Sequence, residues 1–377
     1  MSPIRILHLH STFSLGGKEA RAVRLMNAFG DRARHVVLSA TSDLAARDAI
    51  DTAIAVEFPG EEAPSLAGLP AIGRYRRIAR YMAGFDLVLS YNWGSMDGVM
   101  AHRLFAPVMR LPALIHAEDG FNADEVVRQK PKRVWFRRLG LPTAHALVVP
   151  SRVLEGIALS TWRQPARRLR RIANGIPVDR YASPPADVIP GFARRPGEVV
   201  IGTLAGLREV KNLPRLVRSF AAAGVANTRL VIVGEGPERA AIEAEAMRLG
   251  IADRVLLPGF LADPARYVGH FDIFALSSDS EQFPISVVEA MAAGLPVAST
   301  RVGDVAGMVA DANAEHIVDD EAGLASALRQ LASDGTLRET IGAANREKAR
   351  REYDEAAMIA AYATLYGDAA GASKALL

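Results

Sequence analysis

Two Rossmann-like α/β domains in tandem, each a parallel sheet covered by helices, are the fold class that this sequence predicts. Short apolar runs alternate throughout with segments whose apolar residues recur at i, i+3, i+4 and i+7, which is the mark of strands joined by crossover helices. That alternation occurs twice, interrupted by a Pro- and Gly-rich stretch at 181–197 with no periodicity, which is linker composition. The 377 residues exceed one typical core, and 50% apolar content lets each of two domains bury its own. The predicted division is a first domain at 1–182, a linker at 183–198, a second domain at 199–353 and a terminal segment at 354–377.

In the first half the strand candidates are 4–10, 35–40, 85–91, 113–116 and 146–150; in the second they are 199–204, 229–233, 254–257, 272–276 and 297–300. After the first strand, Ala22, Leu25, Met26 and Phe29 form the apolar stripe of a helix. Leu213, Leu216, Val217 and Phe220 do the same after 199–204, with Asn212 as a natural N-cap. Ile242, Ala246 and Leu249 mark the next helix, and Ile285, Val288 and Ala292 the one after, with Pro284 expected at its first position, where a missing amide hydrogen costs nothing. Met358, Tyr362 and Leu365 predict a helix over 354–366, and 371–377 is expected to fray.

Composition excludes several function classes. The chain has no cysteine, which removes disulfides, thiolate metal sites and a thiol nucleophile and is compatible with a reducing cytoplasm. The N-terminal residues run straight into a strand without a signal-peptide layout, and no stretch approaches the ~20 apolar residues of a membrane span, so a soluble or peripheral protein is expected. Net charge is only +3, yet the basic residues cluster. Arg128, Lys130, Lys132, Arg133, Arg137 and Arg138 surround Trp135 and Phe136. Arg163, Arg167, Arg168, Arg170 and Arg171 form a second group, and Arg74, Arg76, Arg77 and Arg80 with Tyr75 and Tyr81 a third. Such clusters suit an anionic membrane, a phosphate-bearing acceptor or nucleic acid, and equally a solvated basic face. No nucleic-acid module is evident, so a membrane or lipid phosphate is the better functional reading and no nucleic-acid partner is expected.

Chemistry concentrates where strands end. Glu281 follows the run at 272–276 and Glu289 lies in the opening turns of the next helix, so both carboxylates border the edge where open α/β sheets bind ligands. Two carboxylates facing a crevice can grip hydroxyls; a solvated pair flanking an ordinary helix is the plainer alternative. Gly16 and Gly17 follow the first strand and precede a helix, letting backbone amides and a positive dipole end approach a ligand, although a tight turn also explains them. Glu19 in that first turn can cap the helix. His116 ends the run 113–116, where an imidazole can donate to a ligand hydroxyl, and Glu118 and Asp119 follow it. In Gly206-Leu-Arg208-Glu-Val-Lys211-Asn212 two cations precede a helix start, where anions bind. Gly234-Glu-Gly236-Pro237 is a strand-to-helix glycine turn without the third glycine of a dinucleotide fingerprint.

The order Ser278-x-x-Glu281-x-Phe283-Pro284, then Glu289-Ala290-Met291-x-x-Gly294-x-Pro296, resembles the E-x7-E motif of the family-4 retaining glycosyltransferases, which have the GT-B fold. The segment Asn174-Gly-Ile-Pro-Val-Asp179 is similar to that family's Asn-Gly-x-Asp marker, and the likeness extends from the Gly16 loop to Pro296. It implies two Rossmann-like domains facing across a cleft, with the C-terminal helix crossing back to the first domain, and a retaining transferase that moves a sugar from a UDP- or GDP-sugar to an acceptor hydroxyl by front-face attack. Carried residue by residue, it implies that Glu289 holds the ribose, Glu281 the transferred sugar, and Lys211, helped by Arg208, the diphosphate. Gly16 and Gly17 would lie against the phosphates, Gly234 near the base, and Phe283, Pro284 and Ile285 along the donor. His116 would sit by the sugar, with Glu19, Glu118 and Asp119 on the acceptor side.

Two positions depart from the family pattern: Gly206 stands where an arginine is usual, and Gly307, in Gly303-Asp304-Val-Ala-Gly307, where a glutamate is common. No Asp-x-Asp pair ends a strand, so no metal and no cofactor are expected beyond the nucleotide-sugar substrate. The acceptor implied is a glycolipid or lipid-linked saccharide of cell-envelope or exopolysaccharide synthesis, met in the cytoplasm or on the inner face of the cytoplasmic membrane. A sugar-nucleotide epimerase or hydrolase of the same architecture and a non-catalytic nucleotide-sugar-binding protein are the alternatives.

Overall fold

The structure is a computed structural model that describes residues 3–14, 16–121, 125, 128–185, 188–372 and 375–376. Ala186 and Asp187 of the expected linker, and Ser373, Lys374 and Leu377 of the segment expected to fray, lie outside the described residues.

In the first unit a seven-stranded sheet has the order β3-β2-β1-β4-β5-β6-β7, with every pairing parallel. The strands are β1 (Ile4–His10), β2 (Ala33–Ser39), β3 (Val56–Glu57), β4 (Leu87–Tyr91), β5 (Ala113–Ala117), β6 (Ala146–Val149) and β7 (Leu169–Arg171). Alternate residues serve two cores, which is why these strands read as continuous apolar runs. Ile4, Ile6, Leu89, Ile115 and Val148 face one helical layer, and Leu7, Leu9, Val88, Leu114 and Leu147 the other. The first layer is α1 (Gly17–Phe29), which buries the predicted Ala22, Leu25, Met26 and Phe29. The second layer is α2 (Ile72–Met82), α3 (Met96–Phe105), α4 (Pro131–Gly140) and α5 (Arg152–Ser160), which bury Tyr75, Ile78, Met96, Val99 and Leu154 among others.

In the second unit the sheet order is β10-β9-β8-β11-β12-β13, again parallel throughout. Its strands are β8 (Val199–Leu204), β9 (Thr228–Val233), β10 (Val255–Gly259), β11 (Ile273–Leu276), β12 (Val297–Thr300) and β13 (Ile317–Val318). Its helices are α6 (Leu213–Ala223), α7 (Arg239–Arg248), α8 (Ile285–Ala292), α9 (Val305–Met308), α10 (Glu321–Ser333) and α11 (Gly335–Glu352). Ile201, Leu230, Ile232 and Ala275 pack against Leu216, Phe220, Ile242 and Leu328.

Compactness divides the chain into residues 1–174 with 357–377, and residues 175–356. The helix α12 (Glu355–Ala369) therefore folds mostly with the first unit, where Met358, Tyr362 and Tyr366 join the core that holds Met26 and Phe29. The segment at 183–198 falls inside the second unit. It is tied there by Ile189, which is 3% exposed, by Arg194 on Asp272 at 2.9 Å, and by Phe192, whose ring centre lies 5.3 Å from the Arg229 guanidinium.

The edge strands β3, β7 and β13 were not among the predicted runs, because two or three residues carry no readable period. Pro284 is also shifted from the expected position. It precedes the helix as the N-cap, in extended backbone at ψ 108, and Ile285 opens α8. No helix among the described residues is long and apolar enough to cross a membrane.

Candidate active site

The order of the second sheet reverses between β8 and β11, and the loops leaving their carboxyl ends border the position where open parallel sheets bind ligands. Those two loops are stitched together. Ser277 Oγ donates to the carbonyls of Lys211 and Asn212 at 3.0 Å each, and the Asp279 amide donates to Val210 at 2.9 Å. Asn212 adopts the left-handed region at φ 43, caps α6 by accepting from the Arg215 amide at 3.3 Å, and donates to Asp279 at 3.1 Å. Arg215 closes the knot on Asp279 at 2.6 Å. As a result Lys211 Nζ lies 2.5 Å from Glu281 Oε1, although the residues are 70 positions apart, and Ser278 Oγ donates to the same oxygen at 2.8 Å.

Glu281 is fixed from behind as well. Gly303, at φ 51, packs so closely on it that a Cβ would stand 2.6 Å from the Glu281 carbonyl, so glycine is required on both counts. Gly307, the other departure from the family pattern, has open space where its Cβ would be. On α8, Glu289 is 8% exposed and accepts from the Tyr181 hydroxyl at 3.1 Å. Burial first, and then the Glu289 carboxylate, push the Tyr267 phenol above its ordinary range. Phe283 sets its edge on Tyr353 with ring centres 5.6 Å apart, while Pro284 is buried and Ile285 half-buried beside it.

A cavity of about 380 Å³ opens at the carboxyl ends of β8, β9 and β10, lined by Ala205, Gly206, Gly234, Phe260, Asp263 and Tyr267 among others. Gly234 lines it at φ 144 and Gly236 follows at φ 155, and a Cβ on either would collide with the carbonyls of Ala205 or Leu207. Gly206 is exposed, and Arg208 Nε lies 3.5 Å from where its Cβ would be. The exposed Arg208 guanidinium thus stands over the position that the family fills with an arginine. The loop that carries Gly206 and Arg208 ends at Lys211, so the cavity and the Lys211–Glu281 pair share one wall.

In the first unit the loop after β1 brings Gly16 to the N-cap of α1 and Gly17 to its first position. A Cβ on Gly16 would stand 2.8 Å from a Glu19 carboxyl oxygen. Glu19 itself is 2% exposed and paired with Lys18, so it serves the first turn of its own helix. His116 was expected to offer its ring to a sugar hydroxyl. It is instead wholly buried, with Nδ1 2.8 Å from Ser90 Oγ and Nε2 3.5 Å from Glu118. Glu118 is equally buried and takes the Arg137 Nε at 3.0 Å. Burial alone would raise its carboxyl, but Arg137 and then His116 hold it below the usual range. Asp119 is clamped by both guanidinium nitrogens of Arg21, whose Nη1 also donates to Asn174 at 2.9 Å. His116 and Glu118 are thus enclosed, and only Asp119 of this group keeps partial exposure, at 16%.

The same enclosure removes Arg137 from the basic patch read around Trp135. It is 0% exposed, stacked 4.8 Å over Trp162 and 5.1 Å over Trp93. Phe136 is half-buried against Trp93, and Arg74 of the third basic group is drawn in by Asp97 at 2.6 Å. Sequence reasoning missed Tyr181, Tyr267 and Ser278 as partners of the two glutamates. Only Ser278, three residues before Glu281, had a local signal; the tyrosines reach Glu289 through the fold.

Comparisons with known proteins bear on the family and the fold. Residues 15–180 match the model of Glycosyltransferase Family 4, and residues 189–348 that of Glycosyl transferases group 1. N-acetyl-alpha-D-glucosaminyl L-malate synthase of Bacillus anthracis is 30% identical over 174 residues, covering 45% of this chain and 46% of that protein. A lipopolysaccharide core biosynthesis glycosyltransferase of Rhizobium meliloti (strain 1021) is 31% identical over 220 residues, 57% of each chain. The chain thus spans about half the length of these curated relatives. The crystal structure of Anabaena HepE in complex with UDP superposes with a TM-score of 0.79 at 20% identity, covering 96% of this chain and 98% of that one, which shows the fold.

Proposed function

Since this chain belongs to the family-4 glycosyltransferases and has their GT-B fold, we propose that it is a retaining transferase moving a sugar from a nucleoside-diphosphate sugar to an acceptor hydroxyl. The observation that carries the proposal is the pairing of Lys211 with Glu281 at the reversal point of the second sheet, beside a cavity sized for a nucleoside. The base enters that cavity over Gly234, with Phe260, 73% exposed at the rim, available to stack on it. Glu289, oriented by Tyr181, accepts from the ribose hydroxyls. Phe283, Pro284 and Ile285 line the way to the sugar, and Glu281 accepts from that sugar's hydroxyls.

As the glycosidic bond breaks, one further negative charge builds on the leaving diphosphate. Lys211 and Arg208 meet it, aided by the amides at the α6 N-terminus, and cations placed in advance at developing charge need no reorganisation during the step. Retention then follows when the acceptor hydroxyl attacks on the face the diphosphate leaves, through an oxocarbenium-like state, its oxygen bonding to the anomeric carbon as its proton passes to the departing diphosphate oxygen. In this reading no metal is required, His116 acts at one remove by bracing the Glu118–Arg137 pair, Gly16 and Gly17 keep their assignment to the donor phosphates, and Asp119 stays the acceptor-side candidate. The acceptor we propose is a lipid-linked saccharide of polysaccharide or lipopolysaccharide assembly, in keeping with the name of the Rhizobium relative.

Thermal shift against UDP, GDP, ADP and their sugar conjugates tests the donor site, because a ligand of the folded state raises apparent stability. One base family should shift the protein, and Glu281→Gln should keep that shift while losing turnover. Unchanged turnover in Glu281→Gln would remove its assigned role. Consumption of donor without any acceptor would replace transfer by hydrolysis or epimerisation.

A further inference from the structure

The four helices α2 to α5, which share one face of the first sheet, differ from the rest of the chain in charge. Together they carry ten Lys or Arg against two Asp or Glu, whereas the whole chain has 45 against 42. Three of those cations turn inward: Arg74 to Asp97, Arg133 to Glu125 and Arg137 to Glu118. Arg76, Arg77, Arg80 and Lys132 stay exposed, and among the described residues none of them meets a carboxylate.

Apolar exposure concentrates on the same layer. Among the described residues ten large apolar side chains are exposed, and eight of them lie on α2 to α5 or within three residues of their ends. Ile72 is 68% exposed, and Trp135 and Leu139 are each 59% exposed. Lys132, Trp135 and Leu139 recur at i, i+3 and i+7, so they form one outward stripe of α4, and Arg138 lies 5.1 Å over the Trp135 ring. Beside α2, a groove of about 600 Å³ is lined by Ser65, Arg77, Arg80 and Tyr81, with Glu62 and Pro64 completing it. It offers two guanidinium groups and two hydroxyls against the single carboxylate of Glu62, a balance that suits a phosphate monoanion.

Scattered apolar side chains are ordinary on a protein surface, but here they sit among unpaired cations with almost no acidic residue between them. That combination fits a layered partner, anionic at its surface and apolar just beneath. We infer that the α2–α5 face docks on an anionic lipid bilayer, with Ile72, Trp135 and Leu139 entering the headgroup layer and Arg77 and Arg80 holding a lipid phosphate in the groove. Tryptophan and long basic side chains are suited to that boundary, since each has an apolar body and a polar end. The inference stands on the first unit alone, and it adds to the transferase reading a place where a lipid-linked acceptor would be met.

The test is co-sedimentation of the full chain with vesicles of phosphatidylcholine alone and of phosphatidylcholine mixed with phosphatidylglycerol, at low and high salt. Binding should require the anionic lipid and weaken as salt rises. Each surface charge near an anionic leaflet is worth about a five-fold change in affinity, so Arg76→Gln, Arg77→Gln and Arg80→Gln combined should weaken binding on the order of 100-fold. A second variant, Trp135→Ser with Leu139→Ser, should weaken binding at high salt as well as low. Both alter exposed positions, and an unchanged nucleotide-induced thermal shift would show that fold and donor site are intact. No binding to the mixed vesicles, equal binding to phosphatidylcholine alone, or full affinity in the triple variant would each overturn the inference. Equally strong capture by soluble heparin or inorganic phosphate, without vesicle binding, would make the groove a site for a free anion and overturn it too. Failure of the transferase proposal would show separately, as absence of donor binding in the same protein.

Discussion

Lowering the pH should destabilise the first unit through three buried histidines that the proposed chemistry does not use. His8 bridges Tyr91 and His35 at 3.0 Å each, while His10 stacks on Tyr91 with ring centres 4.1 Å apart. All three imidazoles are at most 3% exposed, and neither ring nitrogen of His10 has a hydrogen-bond partner. Burial is the leading cause that lowers each of them. The neighbouring His35 and His10 add to it at His8, and Lys18 and Arg21 add to it at His10. A base whose folded pKa is depressed binds its proton more readily in the unfolded chain. Its stabilising effect is therefore complete above the unfolded value of about 6.5 and is lost as the pH falls toward the folded value. His35, lowered to about 4, alone removes roughly 2 kcal/mol between about pH 7 and pH 5.

Each further histidine protonated only on unfolding adds a slope of up to about 1.4 kcal/mol per pH unit. Replacing His10 by Phe keeps a ring against Tyr91 and removes both the unpartnered nitrogens and one of the three linked protons. Urea unfolding at several pH values reads this directly. The variant should match or exceed the wild type in stability at about pH 5 and show the shallower dependence on pH. Parallel curves for the two proteins would mean that His10 takes up no proton on unfolding, and the account of it as a buried neutral base would fail.

Arg137→Met should cost about 3 to 5 kcal/mol, because it leaves Glu118 buried without its counter-charge, and adding Glu118→Gln should recover much of that in the same urea series. Tyr181→Phe removes the hydroxyl that holds Glu289, so calorimetry should find nucleoside diphosphates bound about 3- to 10-fold more weakly while inorganic pyrophosphate is unaffected. Lys211→Ala should weaken diphosphate binding more than nucleoside binding; equal losses would contradict its place at the phosphates. Transfer should persist in excess EDTA, and a loss restored by a divalent ion would show that Lys211 and Arg208 do not suffice for the leaving group.

What the sequence made legible follows the physics of each signal. The central strands β1, β8 and β12 lie where the apolar runs predicted them, because a strand buried on both faces must be apolar along its whole length. The edge strands escaped notice for the opposite reason: Leu169-Arg170-Arg171 buries only its leucine. Glu281, Glu289 and Lys211 could be placed at the carboxyl edge of the second sheet because each lies at a fixed offset from a strand end or helix start. Whether a polar residue at a strand end faces a ligand or the interior carries no such offset. His116 and Glu118 looked available for that reason, and Arg137, from a helix well downstream, encloses them. Arg137 likewise belonged by composition to a surface patch, and its burial depends on Trp93 and Trp162, neither of which is near it in sequence.

The pairing of Lys211 with Glu281 bears on how such a site can wait for substrate. With side chains 16% and 12% exposed, both charges are largely withdrawn from water, and either alone would carry a desolvation penalty that the other offsets. On the proposed reading a donor diphosphate would compete for the lysine, and as Lys211 turned to it Glu281 would lose its cation but keep Ser278 on the same oxygen. The carboxylate is then held in place with capacity to accept from a sugar hydroxyl. Donor binding would thereby exchange one ion pair for another and complete the sugar contact in the same movement. Arg208 begins exposed with no carboxylate beside it among the described residues, so it can move toward the phosphates without breaking a pair. The two cations should then differ in kind: losing Arg208 removes attraction alone, whereas losing Lys211 also leaves Glu281 uncompensated before the donor arrives.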